Sequence, residues 1–241
     1  MLHGIISDIH SNLSALQAVL QRLEELEVDS IMCLGDIVGY AARPVECIEL
    51  VRERAEIVVM GNHDAGTTGD TTIHNFNSMA REAILWTRET LGPGEMEFLR
   101  KLPLMYESES FILVHSSPVS PDRWHYIFSS EQAWQVFDSC SYNVVFVGHT
   151  HRPVLFCIKD GELAVHTADT YRFEEGVRYI INVGSVGQPR DGDPRASFVT
   201  FDSGDRTVEF HRTPYDIRQT QDTILEAELP VELARRLSQG Y

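Results

Sequence analysis

Short apolar runs that each end in a cluster of Asp, His, Asn and Gly recur through the first 151 residues, and this limits the fold more than any other feature of the chain. The sharpest instance is Cys33-Leu34-Gly35-Asp36-Ile37-Val38-Gly39. An ionised carboxylate at the end of a buried strand is costly when unpaired, so Asp36 reads as a turn former, a helix cap or a metal ligand. The flanking glycines suit a turn whose backbone lets a ligand approach closely. Taken alone, the stretch predicts turn chemistry.

Around it, the periodicity predicts strands over 3–8, 30–34 and 57–60, alternating with helices over 13–26 and 44–54. Apolar residues recur at helical spacing from Leu13 to Leu26, and Pro44 suits the first turn of the second helix. Strand, helix, strand, helix, strand is the grammar of an α/β sheet. Residues 65–70 read as a loop and 71–91 as a helix, followed by a short helix over 95–101. Paired strands are expected at 104–107 and 111–115, a long loop over 116–129, a helix near 131–138 and a β-branched strand at 144–147. Beyond Pro153 the texture turns to β: a hairpin around Asp160-Gly161, strands at 179–183, 196–201 and 208–212, then helical stretches around Pro230. No repeat, low-complexity run or linker divides the chain, so one domain over 1–241 is expected, with the motifs in 8–151 and the β-rich half and helical tail of 152–241 completing it.

The formal charge of −16 opposes long polyanions, so a nucleic-acid polymer is a poor partner, and a phosphate site would need local cations. No apolar run approaches the ~20 residues that cross a bilayer, and the N-terminus has no basic-then-apolar leader. No membrane association is therefore expected. Cys33, Cys47, Cys140 and Cys157 are scattered and read as thiols of a reducing compartment, so a cytoplasmic location is expected. Composition is compatible with a homo-oligomer.

Five strand ends present polar side chains in the same way: Asp8 with His10, Asp36, Asn62 with His63 and Asp64, His115, and His149 with His151. Sites in open α/β sheets form at the carboxyl ends of strands, so all five are expected on one sheet edge. Singly, most have ordinary readings: Asp8 as a cap, Gly61-Asn62-His63-Asp64 as a turn, His115 as a core histidine. Two histidines two apart on a strand exit are harder to attribute to packing. Together the imidazole, carboxylate and amide donors, without sulfur, suit Mn, Fe, Zn, Ni or Co.

The series Asp8-x-His10, Gly35-Asp36-x-x-Gly39, Gly61-Asn62-His63-Asp64, His115 and Gly148-His149-x-His151 resembles the calcineurin-like metallophosphoesterase superfamily. Residues 182–190, Asn-Val-Gly-Ser-Val-Gly-Gln-Pro-Arg, are similar to its small bacterial and archaeal branch, loosely labelled with diadenosine tetraphosphatases and serine/threonine protein phosphatases. The resemblance implies an α/β, four-layer α-β-β-α sandwich of two mixed sheets. It further implies two divalent ions, manganese favoured: one held by Asp8, His10, Asp36 and His151, the other by Asp36, Asn62, His115 and His149. Two cations roughly 3.5–4 Å apart need an anion between them, and a water they share becomes hydroxide near neutral pH. The implied reaction is in-line attack of that hydroxide on a phosphodiester or phosphomonoester. By the same resemblance His63 contacts a phosphate oxygen or protonates the leaving group, and Asp64 orients it through the other ring nitrogen. Arg190, in the glycine-bounded loop after Val183, reads either as a second cation for the substrate phosphate or as an ordinary surface arginine in a turn.

Departures narrow the substrate. Protein phosphatases of this type carry an arginine just after the Gly-Asp turn and Gly-Asn-His-Glu at the third motif; symmetric dinucleoside tetraphosphate hydrolases share the Asp but also carry the arginine. Here Tyr40 follows Gly39, Arg43 is offset and the third motif ends in Asp64. Both activities remain alternatives, as does a non-catalytic metal-binding scaffold of the kind found in the retromer subunit.

Overall fold

A computed structural model describes residues 1–167 and 169–241. The chain begins with β1 (Leu2–Ile6), α1 (Leu13–Glu25), β2 (Ser30–Cys33), α2 (Pro44–Arg54) and β3 (Ile57–Val58). Then come α3 (Asn62–Thr68), α4 (Ser78–Thr90), α5 (Pro93–Arg100), β4 (Met105–Glu107), β5 (Ile112–Val114) and α6 (Ser130–Ser139). After them run β6 (Val144–Val147), β7 (Val154–Lys159), β8 (Glu162–His166), β9 (Thr170–Arg172) and β10 (Arg178–Asn182). The chain closes with β11 (Ala196–Asp202), β12 (Thr207–Thr213), α7 (Ile217–Glu226) and α8 (Val231–Arg235).

The strands form two mixed sheets, ordered β3-β2-β1-β11-β12-β9 and β4-β5-β6-β10-β7-β8. Strand alternation sorts the apolar residues into layers. Ile5, Met32, Leu34, Leu113, Phe146 and Ile181 meet between the sheets. Their neighbours Ile6, Ile31 and Cys33 turn outward beneath α1 and α2. Ile112, Val114, Val145 and Ile180 turn the other way, beneath α6. The result is the expected four-layer α-β-β-α sandwich. Strands covered on both faces read as continuous apolar runs, which is why they stood out in the sequence.

Sequence halves and sheets do not coincide. The expected α/β front and β back interleave, because β11 pairs antiparallel with β1, Ile5 opposite Val199. The expected loop over 65–70 is largely helix: α3 starts at Asn62 and ends at Gly69, whose φ of 87° stops it. The expected helix over 71–91 is broken. A 3₁₀ turn (Ile73–Asn75) capped by Thr72 precedes Asn77, whose Oδ1 accepts from the Ala80 amide and restarts the chain as α4. Strand β9, only three residues long, gave no sequence signal. The tail returns to the front half: Ile224, Leu229, Leu233 and Leu237 pack with Tyr40, Ala41, Ala80 and Ala83.

Candidate metal centre

Because β1, β2 and β3 are mutually parallel, as are β5, β6 and β10, their carboxyl ends leave each sheet on one edge. The expectation of a single sheet edge is corrected: Asp8, His10, Asp36 and Asn62 follow strands of one sheet, while His115, His149 and His151 follow strands of the other. They meet where the two edges face each other. Backbone bonds stitch the loops together: Asp8 N to the Gly35 carbonyl (3.0 Å), His10 N to the Asp36 carbonyl (2.9 Å) and Gly187 N to the Asp8 carbonyl (2.9 Å). Across the sheets, the His149 amide donates to Asp8 Oδ2 at 2.9 Å. Asp8, His10, Asp36, His149 and His151 all have φ between 50° and 67°, the left-handed region that non-glycine residues rarely occupy. Such strain persists only where surrounding structure fixes it, and it concentrates at functional sites. The loops touch so closely that a Cβ on Gly61 would overlap the Asp36 carboxylate, and one on Gly148 would overlap Ser7 Oγ.

Each of four imidazoles has one nitrogen on a backbone carbonyl: His10 Nδ1 on Val38 (3.1 Å), His115 Nδ1 on Leu34 (2.9 Å), His151 Nδ1 on Gln188 (2.6 Å) and His149 Nε2 on Trp124 (3.0 Å). A carbonyl only accepts, so these nitrogens carry the proton and the opposite nitrogen of a neutral ring presents a lone pair. His10 Nε2 faces His151 Nε2 at 3.1 Å, with Asp8 Oδ1 3.2 Å from the latter. Asp8 Oδ1 is buried and accepts no hydrogen bond. On the other side, His115 Nε2 lies 3.2 Å from His149 Nδ1 and 3.1 Å from Asn62 Oδ1. Asp36 Oδ2 reaches both sides, 3.6 Å from His10 Nε2 and 3.3 Å from His115 Nε2. Donor atoms of Asp8, His10 and His151 lie within 4.8 Å of one another, as do those of Asp36, His115 and His149. With the rings neutral, these buried acceptors converge without a donor and repel unless positive charge lies among them, so this donor set fits divalent cations.

Electrostatics agree. Burial alone would raise the Asp8 carboxyl, but His151 and His115 hold it well below the usual carboxylate range. The same competition, with His115 and His63 as the opposing charges, depresses Asp36. Burial pushes His10 and His151 down, and His149 to about 3, the neutral state a metal ligand needs. His115 is the exception: burial lowers it, yet Asp36 and Asp8 raise it to about 9.

His63 stands beside these groups. Its ring packs on Tyr40 (4.5 Å), His10 (4.7 Å) and Phe76 (5.1 Å between centroids), and burial pushes it down to about 4. Its donor atoms also lie within 4.8 Å of those of His10 and Asp36. The expectation that Asp64 orients the His63 ring is corrected. His63 Nδ1 is buried without a partner and lies over Gly39, where a Cβ would overlap it. Asp64 instead takes three backbone amides: Oδ1 accepts from Ile37 (3.0 Å) and Val38 (3.2 Å), and Oδ2 from Gly61 (3.0 Å). It joins the second and third motif turns, while burial and Asp36 push its carboxyl up to about 7. Arg190 is half-buried, with Nη2 donating to Tyr40 Oη (3.2 Å) and Gln188 Oε1 (2.8 Å) and its guanidinium 5.6 Å from the Tyr40 ring centre.

Two contributors escaped sequence reasoning. Tyr40 links His10, His63 and Arg190, and its only signal was its position after Gly39, where an arginine was sought. Asn182 donates to the Gly148 carbonyl and to Thr150 Oγ1 (2.9 Å) and accepts from the Gly184 amide (3.0 Å), bracing the loop that carries His149 and His151. An amide ending an apolar strand two residues before a glycine was the available hint.

A two-sheet sandwich with a buried His/Asp cluster between its strand ends is the arrangement expected of a metallophosphoesterase. The model of the calcineurin-like phosphoesterase superfamily domain matches residues 1–206, and the chain belongs to that superfamily. It is therefore a phosphoric ester hydrolase that binds divalent metal. A crystal structure of a metallophosphoesterase from Sphaerobacter thermophilus superposes with a TM-score of 0.88 at 43% identity, covering 100% of this chain and 99% of that one. An uncharacterised protein of Methanocaldococcus jannaschii is 41% identical over 242 residues, 98% of this chain and 97% of the relative. A symmetrical bis(5'-nucleosyl)-tetraphosphatase of Vibrio cholerae is 26% identical over 143 residues, 56% of this chain and 51% of that protein. Among the described residues, no helix is long and apolar enough to cross a membrane.

Proposed function

We propose that residues 1–241 form one dinuclear phosphoesterase unit that hydrolyses a phosphodiester or phosphomonoester. The observation that carries this is Asp36: its Oδ2 faces His10 on one side and His115 on the other, so one carboxylate serves both donor groups. Asp8, His10 and His151 would hold one cation, and Asn62, His115 and His149 the other, with Asp36 between them. Manganese is the first candidate, and the donor types also suit Fe, Zn, Ni or Co. When bound, the ions acidify the attacking water and neutralise charge on the phosphoryl group.

The protein's own groups do the rest. Carbonyl contacts hold the imidazoles in the right tautomer. His63 is the group that contacts a phosphoryl oxygen or, in its protonated form, hands a proton to the leaving oxygen; burial pushes it down to about 4, so the proton must be taken up before that step. Asp64 sets that position through the backbone rather than the ring. Arg190, braced on Tyr40 and Gln188, supplies a fixed cation for a phosphate oxygen. Four free thiols support a reducing compartment. The Vibrio relative's nominal substrate is not carried over: the similarity spans about half of either chain, and Tyr40 follows Gly39 where the resemblance drawn from the sequence leads one to expect an arginine.

The test is Asp36→Asn, with metal analysis and turnover of bis(p-nitrophenyl) phosphate in manganese. Asparagine keeps an oxygen for the His63 amide, which Asp36 Oδ1 accepts at 2.7 Å, but removes the shared charge. Two ions per wild-type chain are expected, fewer in the variant, and a rate loss of about a thousand-fold. A fully active variant would overturn the assignment.

A further inference from the structure

The two sheets end in the edge strands β3, β9, β4 and β8, and these edges are not built alike. β3 has two residues, and β4 and β9 have three each. Edges that short offer little for another chain to pair with, which is a usual protection. β8 is different. It runs over five residues, Glu162-Leu163-Ala164-Val165-His166, and among the described residues pairs on one side only, with β7. The register is unbroken from Lys159 opposite Glu162 to Leu155 opposite His166, and no lysine or proline interrupts the strand. Val165 is 46% exposed.

The hairpin turn determines which backbone groups face outward. Asp160 and Gly161 both have positive φ, 49° and 80°, as in a two-residue type I′ turn, so Lys159 and Glu162 form the hydrogen-bonded closing pair. Bonded and non-bonded pairs alternate along an antiparallel ladder. Ala164 and His166 therefore bond to β7 as Glu162 does, while Leu163 and Val165 turn their N–H and C=O groups away from it. Side chains alternate between the two faces. Leu163 packs with the α6 cluster, so Val165 shares that face, and Glu162, Ala164 and His166 share the other.

We propose that β8 is a dimerisation edge, paired antiparallel with β8 of a second copy of this chain about a two-fold axis at Ala164. Self-complementarity identifies the occupant. With Ala164 opposite itself, Leu163 falls opposite Val165 of the second copy, and Val165 opposite its Leu163. These are the residues with outward backbone groups, so both pairs close with hydrogen bonds, apolar side chain against apolar side chain. Glu162 falls opposite His166, whose imidazole can donate to the carboxylate. Ala164, small and exposed, occupies a non-bonded pair, where the two Cα atoms come closest. Moving the axis to Leu163 or Val165 loses the match of Glu162 with His166. The two six-stranded sheets then run on as one, and an isologous contact of this kind closes at a dimer. None of the candidate metal-centre residues lies on β8, so dimerisation does not depend on the phosphoesterase reading.

The test is sedimentation velocity of the full chain from about 1 to about 300 µM, in about 0.15 M salt to screen the charge of −16 per copy. A monomer–dimer equilibrium is expected. Val165→Pro removes the outward N–H and spares the ladder with β7. It should raise the dimer dissociation constant by about tenfold or more, because the two-fold contact loses that bond twice. Ala164→Cys sets two thiols at the axis and should give a disulfide-linked dimer under mild oxidation, which the wild type, with its own four cysteines, should not. His166→Glu places carboxylates opposite each other and should weaken the dimer. Adding Glu162→Lys should restore it, a rescue that general damage to the fold would not show. A wild type that stays monomeric throughout would overturn the proposal. So would a dimer that Val165→Pro leaves unchanged and Ala164→Cys fails to link, which would place the contact on another face.

Discussion

Leu34 and Asp36 are separated by one residue, and they belong to opposite physical regimes. Leu34 is fully buried in the layer between the sheets, among Ile5, Val59, Leu113 and Phe146. Asp36 is as deeply buried, but in left-handed backbone and among imidazole nitrogens. Inside the sandwich, alternating side chains fill space from regular strands, and burial of apolar surface supplies the stability. At its edge, non-glycine residues with positive φ cost about 1–3 kcal/mol each, and the Asp8 Oδ1 acceptor has no partner. One region stabilises the fold, and the other is held in place by it. The lesson is that damage to the two should separate in experiment.

Phe146→Ala is the harshest test of that separation. The ring lies between the sheets with centroids 6.0 Å from Phe111 and 5.2 Å from Phe201. Truncation should cost about 3–5 kcal/mol, read from the shift in a urea unfolding midpoint. The surviving folded protein should keep its metal content and its turnover per folded molecule. A specific activity that falls with stability would show that the strand ends feel the interior continuously, and the comparison would fail.

Gly148→Ala probes the other region. The new methyl would overlap Ser7 Oγ and press on Asp8 Oδ2, so the carboxylate must move. Stability should drop by only about 1–3 kcal/mol, as for an overpacked site. Metal affinity, measured by titration into chelator-stripped protein, should fall by about 10–100-fold, the usual effect of disturbing a ligand's support. Unchanged affinity would mean that Asp8 is not held by this contact.

The same division governs what the sequence disclosed. Strand exits were legible because a carboxylate or a histidine pair directly after a β-branched run, as at His149 and His151, is a poor solution for packing. Helices α1 and α2 were legible from apolar spacing and from Pro44. The start of α3 was not, because Gly61-Asn62-His63-Asp64 has turn composition and its helical form depends on Asp64 bonding to Ile37 and Val38, 27 and 26 residues away. The mixing of the two chain halves into shared sheets rests on pairs such as Leu2 with Asp202, which no local pattern encodes. Nor could spacing show that Asp64 faces backbone rather than His63. The residues of the centre could be read, but the contacts that orient them are tertiary.

Tyr40 sets the finest comparison, since it touches both sides of the division. Its backbone is left-handed at φ 60°, like that of Asp36 and His10, yet its ring belongs to the apolar cluster formed with α4, α7 and α8. The hydroxyl accepts from Arg190 Nη2, while the ring packs on His10 and His63. Tyr40→Phe keeps every ring contact and removes only the acceptor, leaving Arg190 tied to Gln188 Oε1. If Tyr40 positions Arg190 for substrate, KM for a phosphate ester should rise by about threefold to tenfold, the worth of one hydrogen bond, with kcat and metal content unchanged. An unchanged KM would assign the orientation of Arg190 to Gln188 alone. A fall in kcat with loss of metal would place the hydroxyl on the His10 side of the centre, and the boundary between packing and chemistry would then run through this one side chain.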